Sequence, residues 1–124
     1  MKFSNIRRAA VSMLAGLLII TAAGASAAGS LAGQEGDRRF PPALTRDAKS
    51  PCNKAYKAYV AAGGHSAYAT TPYSRVVSLY IICGSSLNAP SQKVAEGAAM
   101  KSCLATRAHY KVTTGGTCEI AASK

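Results

Sequence analysis

The stretch SPCNKAYKAYVAAGGHSAYATT, residues 50–71, decides the fold because it contains a helix followed directly by a strand. Ser50 suits a helix N-cap, and Pro51 suits the first helical position, where no backbone N–H is needed. The apolar residues that follow are spaced i, i+3, i+4, i+7 and i+8, which places them on one helical face: Cys52, Ala55, Tyr56, Tyr59 and Val60. The pattern predicts a helix over residues 51–62.

Two strands are expected after this helix. Glycines at 63–64 end the helix, since glycine accepts the left-handed conformation of a C-cap. Residues 65–71 form a short run that stops at a proline, which is typical of a strand. Residues 76–83, VVSLYIIC, are dense in β-branched and aromatic side chains, which favours a buried strand. With residues 72–75 as the turn, the two strands should form an antiparallel hairpin, and GSS at 84–86 should end the second strand.

A second helix is predicted over residues 90–107 and a last short strand over residues 117–122. The apolar stripe of this helix consists mostly of small residues, so the helix can lie close to a sheet: Val94, Ala95, Ala98, Ala99 and Cys103. Four charged residues should face water: Lys93, Glu96, Lys101 and Arg107. The fold class is therefore α+β, a small α-β-β-α-β domain over residues 50–124 whose short antiparallel sheet is packed by two helices and stapled by disulfides.

The N-terminal residues 1–27 have the three parts of a cleavable signal peptide, in the right order. A basic segment over residues 1–8 precedes an apolar stretch over 9–23, and ASA at 25–27 fits the small-x-small rule for cleavage. The apolar stretch is shorter than the roughly 20 residues of a membrane-spanning helix, so we expect cleavage after residue 27 or 28 and no transmembrane segment afterwards. Residues 28–49 contain two prolines and no apolar period, which predicts a flexible leader.

Four cysteines predict a disulfide framework, because an even count in a small exported domain is typical of one. Four cysteines allow three pairings. We favour Cys103–Cys118 together with Cys52–Cys83, which joins a helix cysteine to a strand cysteine in each half of the domain. A zinc site is disfavoured because the sequence has no CxxC pair and no histidine at ligand spacing from a cysteine. The compartment should be oxidising, either a periplasm or the extracellular space.

The charge of the chain indicates an anionic partner. The sequence has 15 Lys+Arg against 5 Asp+Glu, and loss of three basic residues with the signal peptide leaves a net charge of +7. Such a charge favours membrane headgroups, acidic polysaccharide or acidic proteins, and it can also serve solubility alone. Nucleic acid is not expected, because the tyrosines beside the first lysines fall on the buried helix face. The candidate contacts to an anionic envelope component or acidic protein are Lys54, Lys57, Lys93, Lys101 and Arg107.

The sequence presents no catalytic residue set, and we expect neither an enzyme nor a cofactor. Its five acidic residues form no catalytic pair: Glu35, Asp37, Asp47, Glu96 and Glu119. A small hydrolase would have to use His65 beside Ser66, but no acid that would orient the histidine and no nucleophile elbow accompanies them. The glycine pairs are better explained as helix ends than as a phosphate-binding loop.

Three segments share a pattern of small residues and cysteines: GSS at 84–86, AEGAAMKSC at 95–103 and CEIA at 118–121. They resemble a family of small exported bacterial domains that has no assigned function, and HSAYA at 65–69 looks like the first strand of that family. The family pattern is a small-residue strand, a G-x-S-S turn, a helix of the form A-x-x-A-A-x-x-x-C and a final strand with the partner cysteine. The resemblance covers residues 52–122 and implies export and disulfides, and it brings no catalytic residues. This chain departs from the pattern in lacking tryptophan.

These observations predict an exported, disulfide-stabilised protein that is a non-enzymatic binding or accessory module of the cell envelope. The alternative is a secreted effector or virulence-associated factor that acts on a host or rival cell, which the sequence permits and no residue requires. The expected location is periplasmic or secreted.

Overall fold

A computed structural model describes residues 29–73 and 80–124, so the predicted signal peptide, residues 1–27, lies outside the described residues. The described residues form two helices and four strands, in the order β1 (Asp37–Arg38), α1 (Pro51–Ala61), β2 (His65–Thr70), β3 (Cys83–Ala89), α2 (Gln92–Tyr110) and β4 (Glu119–Ser123). The predicted small α+β fold is confirmed. Neither of these two helices is long and apolar enough to cross a membrane.

The four strands form one sheet in the order β1-β4-β2-β3, with antiparallel neighbours throughout. β2 pairs antiparallel with the next strand of the sheet in the chain, as expected, but that strand is residues 83–89 and not the predicted residues 76–83. The C-terminal strand β4 lies inside the sheet, between β1 and β2. Pairing continues one residue beyond it, because the backbone N–H and C=O of Lys124 both bond to Ser66. This order places β3 at one edge of the sheet and β1 at the other. The sequence did not predict β1.

The two helices pack on opposite faces of the sheet. Ala67 and Ala69 of β2 belong to a core cluster with three residues of α2, whereas Tyr68 between them packs against the tyrosines of α1. Successive side chains of a strand point to opposite faces, so α2 covers one face and α1 the other. The side chains that α2 buries are Ala95, Ala99 and Cys103, and those that α1 buries are Tyr56 and Tyr59.

Helix α2 crosses β3 so closely that a side chain on Gly84 would have no room. A Cβ atom built on Gly84 would lie 2.2 Å from the backbone nitrogen of Cys103 and 2.8 Å from the carbonyl oxygen of Ala99. Small residues on α2 are the other half of this contact, because Ala95 and Ala99 keep the helix axis near the sheet. The backbones of helix and strand are therefore in direct contact.

The second predicted strand, residues 76–83, is wrong where the structure describes it. Residues 80–82 are not in a strand, and residues 74–79 lie outside the described residues. The strand begins at Cys83 and continues through residues 84–86, where a turn was expected. Local propensity favoured the β-branched run, but the strand under α2 must contain a residue without a side chain, and only the glycine-serine segment supplies one.

Residues 28–49 are not the flexible leader that was predicted, over the part that is described. The N–H groups of Leu31 and Gly33 donate to the carbonyls of Gly63 and Val60, at 2.9 and 2.7 Å. β1 then pairs with β4, and the folded unit therefore begins well before residue 50.

The ammonium group of Lys124 explains why the leader is held. Its Nζ atom donates to the carbonyl oxygens of Leu31, Gln34 and Val60 at 2.8, 3.0 and 3.0 Å, and it lies 5.1 Å from the centre of the Tyr59 ring. Burial lowers the pKa of this ammonium group from its usual value. Two of the three carbonyls belong to the leader, so the leader supplies hydrogen bonds to a cation that is largely removed from water.

A polar network joins β1 to α2 and β4. The amide nitrogen of Gln92 donates to the carboxylate of Asp37 and to the hydroxyl of Ser123, both at 2.8 Å. The Ser123 hydroxyl donates to Glu96 at 2.8 Å, and Glu96 also pairs with Arg39. Glu96 was expected to face water. It is only partly exposed, because its carboxylate accepts the Ser123 hydroxyl and pairs with Arg39.

The apolar stripe of α2 is narrower than predicted. Ala95, Ala99 and Cys103 are buried, whereas Val94 and Ala98 are exposed. The helix continues to Tyr110, three residues past the predicted end, and closes at Lys111 in the left-handed conformation with φ 53°. A contact as close as that at Gly84 admits a single row of small side chains four residues apart, which leaves the flanking positions in solvent.

Helix α1 ends where it was predicted to end, but for a different reason. Its C-cap is Ala62 in an extended conformation, and neither of the two glycines that follow it has a positive φ. The second of them, Gly64, donates its N–H to the side-chain oxygen of Asn88 at 2.9 Å, and a Cβ atom on Gly64 would lie 2.9 Å from that same oxygen. Glycine is therefore required here by close approach, not by a left-handed cap.

Substitution of Gly84 by alanine tests the helix–strand contact. We expect Gly84→Ala to lower the free energy of unfolding by about 3 kcal/mol, because the new methyl group overlaps backbone atoms that cannot rotate away. Gly97→Ala is the control, since Gly97 lies on α2, the helix that contacts Gly84, and has nothing within 4 Å of its Cβ position. That substitution should raise the free energy of unfolding by up to about 1 kcal/mol. Urea denaturation measures both values, and equal effects would contradict the proposed contact.

The buried tyrosines predict a loss of stability in alkaline solution. Burial raises the pKa of Tyr59 and of Tyr68 from 10.0 to about 12. Between about pH 10 and 12 the unfolded chain releases these phenolic protons while the folded chain keeps them, so stability falls as pH rises, by up to about 1.4 kcal/mol per pH unit for each tyrosine. Urea denaturation across this range measures the slope. The Tyr59→Phe variant should show a shallower slope, and an unchanged slope would contradict the assignment.

Candidate functional site

A groove of about 1040 Å³ runs along the start of the edge strand β3, between the two helices. Its floor contains residues 82–85, one wall is the N-terminal end of α1, and the other is the second half of α2. Residues 43–46, which precede α1, close one side. We call this feature the β3 groove. Its volume is at the upper end of the range for small-molecule sites in proteins.

Three tyrosines line the β3 groove, and each exposes half of its surface or more. The exposed fractions are 50% for Tyr73, 54% for Tyr80 and 61% for Tyr110. The other three of the six tyrosines in the chain are buried between α1 and the sheet. Leu44 adds an exposed aliphatic side chain to the same groove. Large apolar side chains gathered in one concave site are typical of binding surfaces, and tyrosine is enriched there.

The polar groups of the β3 groove favour a ligand that carries negative charge. Arg46 lines the groove, and among the described lining residues there is no carboxylate side chain. The N-terminal end of α1 opens onto the groove, where Ser50 caps the helix by accepting the N–H of Asn53. The first turn of a helix carries a partial positive charge, which adds to that of Arg46. Hydroxyl groups complete the lining: Thr45, Ser50, Ser85, Ser102 and Thr106.

Both predicted disulfides are confirmed. Cys52–Cys83 joins the first turn of α1 to the start of β3, and Cys103–Cys118 joins α2 to the residue before β4. Because the helices lie on opposite faces, each bond ties one helix to the sheet. The two bonds differ in access. Cys52–Cys83 is partly exposed in the wall of the β3 groove, whereas Cys103 and Cys118 are 0% and 2% exposed.

The predicted basic contacts fall into two groups on opposite sides of the molecule. Lys54 and Lys57 are exposed on α1, and Lys93 and Lys101 are exposed on α2. Arg107 is only partly exposed, since its Nε atom donates to the hydroxyl of Thr114 at 3.1 Å. The expectation that Arg107 faces water freely is therefore wrong. A flat anionic surface cannot contact both groups at once.

Among the described residues, none of these five basic residues lines the β3 groove. Sequence reasoning missed the groove residues Arg46, Tyr73 and Tyr110 because they lie outside the elements that it predicted. Tyr80 was predicted inside a buried strand, and it is exposed instead. The one sequence feature that pointed to a second aromatic site is the presence of tyrosines that do not belong to the buried face of α1.

The possible hydrolase pair does not have the geometry of a nucleophile and its base. The hydroxyl of Ser66 is buried, donates to the carbonyl of Gly64 at 2.9 Å and accepts the N–H of Asn88 at 3.1 Å. Both functions of this hydroxyl are thus used by the backbone, while the neighbouring His65 is exposed. In residues 29–73 and 80–124, no group of three or more His, Cys, Asp or Glu side chains could hold a metal ion.

Comparison with known proteins identifies no relative, because the chain matches no family model, no curated protein and no solved structure. The resemblance to small exported bacterial domains therefore stays a prediction.

The different burial of the two disulfides predicts the order in which they are reduced. A phosphine reductant applied to the native protein should open Cys52–Cys83 before Cys103–Cys118, because its attack requires access to a sulfur atom. Alkylation followed by peptide mass spectrometry identifies the thiols that have been released. Early labelling of Cys103 or Cys118, or simultaneous labelling of all four cysteines, would contradict the prediction.

Proposed function

We propose that this chain is an exported, non-enzymatic binding protein of the cell envelope or extracellular space, and that it holds an anionic ligand in the β3 groove. The observation that carries the proposal is the composition of the groove: three half-exposed tyrosines and one arginine, with no carboxylate among the described lining residues. Tyrosine and arginine are, with tryptophan, the side chains that contribute most often to binding energy at protein interfaces.

The two disulfides support a location outside the cytoplasm, periplasmic or secreted, since reducing compartments disfavour such bonds. They also suit a binding role. Cys52–Cys83 and Cys103–Cys118 each tie to the sheet one of the two helices that form the groove walls, which restricts the motion of these walls. A preorganised site loses less conformational entropy on binding.

The exposed lysines are given a secondary role in this proposal. Lys54 lies on the helix that forms one wall of the groove, and Lys101 lies on the helix that forms the other. At these positions their charges raise the local concentration of an anion without contacting it, which accelerates association and makes it sensitive to salt.

A charge-reversal pair tests the proposal on the purified, disulfide-bonded protein. Arg46→Glu and Lys93→Glu change the net charge equally, but only Arg46 lines the β3 groove. The probes are vesicles that contain an anionic phospholipid, an oligogalacturonate and a glutamate oligomer. We expect at least one probe to bind with an affinity that falls as salt rises, and Arg46→Glu to weaken it by about tenfold or more, against less than about threefold for Lys93→Glu.

Two outcomes would overturn the proposal. The first is that none of the three probes binds even at low salt. The second is that Arg46→Glu and Lys93→Glu weaken binding equally, which would mean that the ligand responds to net charge and not to the groove.

A further inference from the structure

We infer that the ligand of the β3 groove is an acidic saccharide chain, with tyrosine rings against the sugar faces and Arg46 paired with a sugar carboxylate. This inference rests on the proposed binding function and names the chemical class of its ligand. Three features of the groove carry it, namely the placement of the rings, the hydroxyl groups and the low density of positive charge.

The ring placement suits a ligand with flat, partly apolar faces. Tyr73 and Tyr80 lie between β2 and β3 and Tyr110 is the last residue of α2, so the groove is lined by aromatic rings from separate parts of the chain. The two faces of a sugar ring expose C–H groups, which contact the π-surface of an aromatic ring favourably. A tyrosine ring has only two side-chain torsions to restrict, so it offers this contact area at a small entropic cost.

The hydroxyl groups of the lining match the hydrogen-bonding character of sugars. Ser85 lies on the floor of the groove, and Ser102 and Thr106 lie on the α2 wall. A serine or threonine hydroxyl donates one hydrogen bond and accepts others, as each sugar hydroxyl does. The Thr106 hydroxyl already donates to the carbonyl of Ser102 at 2.9 Å and can still accept a hydrogen bond from a ligand. A lipid chain offers these hydroxyl groups no hydrogen bond, and a sugar does.

The charge density separates a saccharide from the phosphate-rich ligands. Arg46 is the single cationic side chain among the described residues that line a groove of about 1040 Å³. Polyphosphates and nucleic acids carry closely spaced charges and are bound by many cations together. A uronic-acid chain carries one carboxylate per sugar ring, and one guanidinium can pair with a carboxylate through two parallel hydrogen bonds.

The membrane surface is disfavoured by the placement of the lysines. Lys54 and Lys57 lie on the helix opposite to the one that carries Lys93 and Lys101, so a planar bilayer would meet only one group. The groove is also concave, and its size suits a ligand of two or three linked sugar rings better than a planar surface.

Substitutions of single tyrosines test the inference by calorimetric titration with an oligogalacturonate trimer. We expect Tyr110→Leu and Tyr73→Leu each to weaken binding by at least about fivefold, and Tyr110→Phe to weaken it by less than about twofold, because the ring and not the hydroxyl makes the contact. Leu104→Ala is the control, since Leu104 is a large apolar residue of α2 that is also exposed, at 42%, and is not among the described residues that line the groove. Thermal denaturation of each variant verifies that the fold is retained.

A glutamate oligomer with three carboxylates and a vesicle with an anionic phospholipid are the competing probes. Tighter binding of either probe than of the saccharide overturns the saccharide inference and leaves the proposed binding function standing. Saccharide binding that is unchanged in the leucine variants, or weakened equally in Tyr110→Phe, also overturns it. Failure of all three probes to bind overturns the inference together with the proposed function.

Discussion

The close contact between helix α2 and strand β3 at Gly84 is the constraint on which most of this structure depends. With no Cβ atom on the strand and small residues on the helix, the two backbones meet at Ala99 and Cys103. Cys103 lies against the sheet, where it bonds to Cys118. The same contact determines which residues form β3, since the glycine must lie under the helix. It also leaves the outer edge of β3 open between the two helices, and that edge is the floor of the β3 groove. The fold and the candidate site therefore have one origin.

Different side chains attach the two helices to the two faces of the sheet, and a disulfide adds to the attachment on each face. On the α1 face, Tyr56, Tyr59 and Tyr68 bury large rings, and Tyr59 also donates its hydroxyl to the carbonyl of Glu35 at 2.6 Å. On the α2 face four of the eight buried residues are alanines, which remove little apolar surface from water. A domain of this size has a small core, so loop closure contributes a large share of its stability, about 3–4 kcal/mol for each disulfide in the chain-entropy model. Each bond lies where a helix meets the sheet, so it also restricts the motion of that helix.

The parts that the sequence predicted are those whose signals are local. Helix α1 was found from its apolar spacing and its Ser-Pro start, and the cysteine pairing from the placement of one cysteine in each element. β3 was missed because the strand propensity of Val, Tyr and Ile favoured residues 76–83. Residues 83–89 form the strand because they contact α2, a helix that follows later in the chain. The leader was missed for the same reason. Its backbone carbonyls accept hydrogen bonds from Lys124, which is 93 residues from Leu31 in the sequence. A local sequence pattern does not predict a contact over that separation. The groove tyrosines come from three separate segments, so only the folded chain brings them together.

The attachment of the leader also shapes the electrostatics of the candidate site. Three of the five carboxylates in the chain, those of Glu35, Asp37 and Glu96, lie beside β1 and pair with Arg38, Gln92 and Arg39. In the sheet order β1-β4-β2-β3, β1 is three strand spacings from the groove, or about 14 Å. That distance exceeds the Debye length of about 8 Å at physiological ionic strength, so these carboxylates are largely screened from the groove. Docking the leader on the far edge of the sheet therefore keeps Glu35 and Asp37 away from the groove and from Arg46.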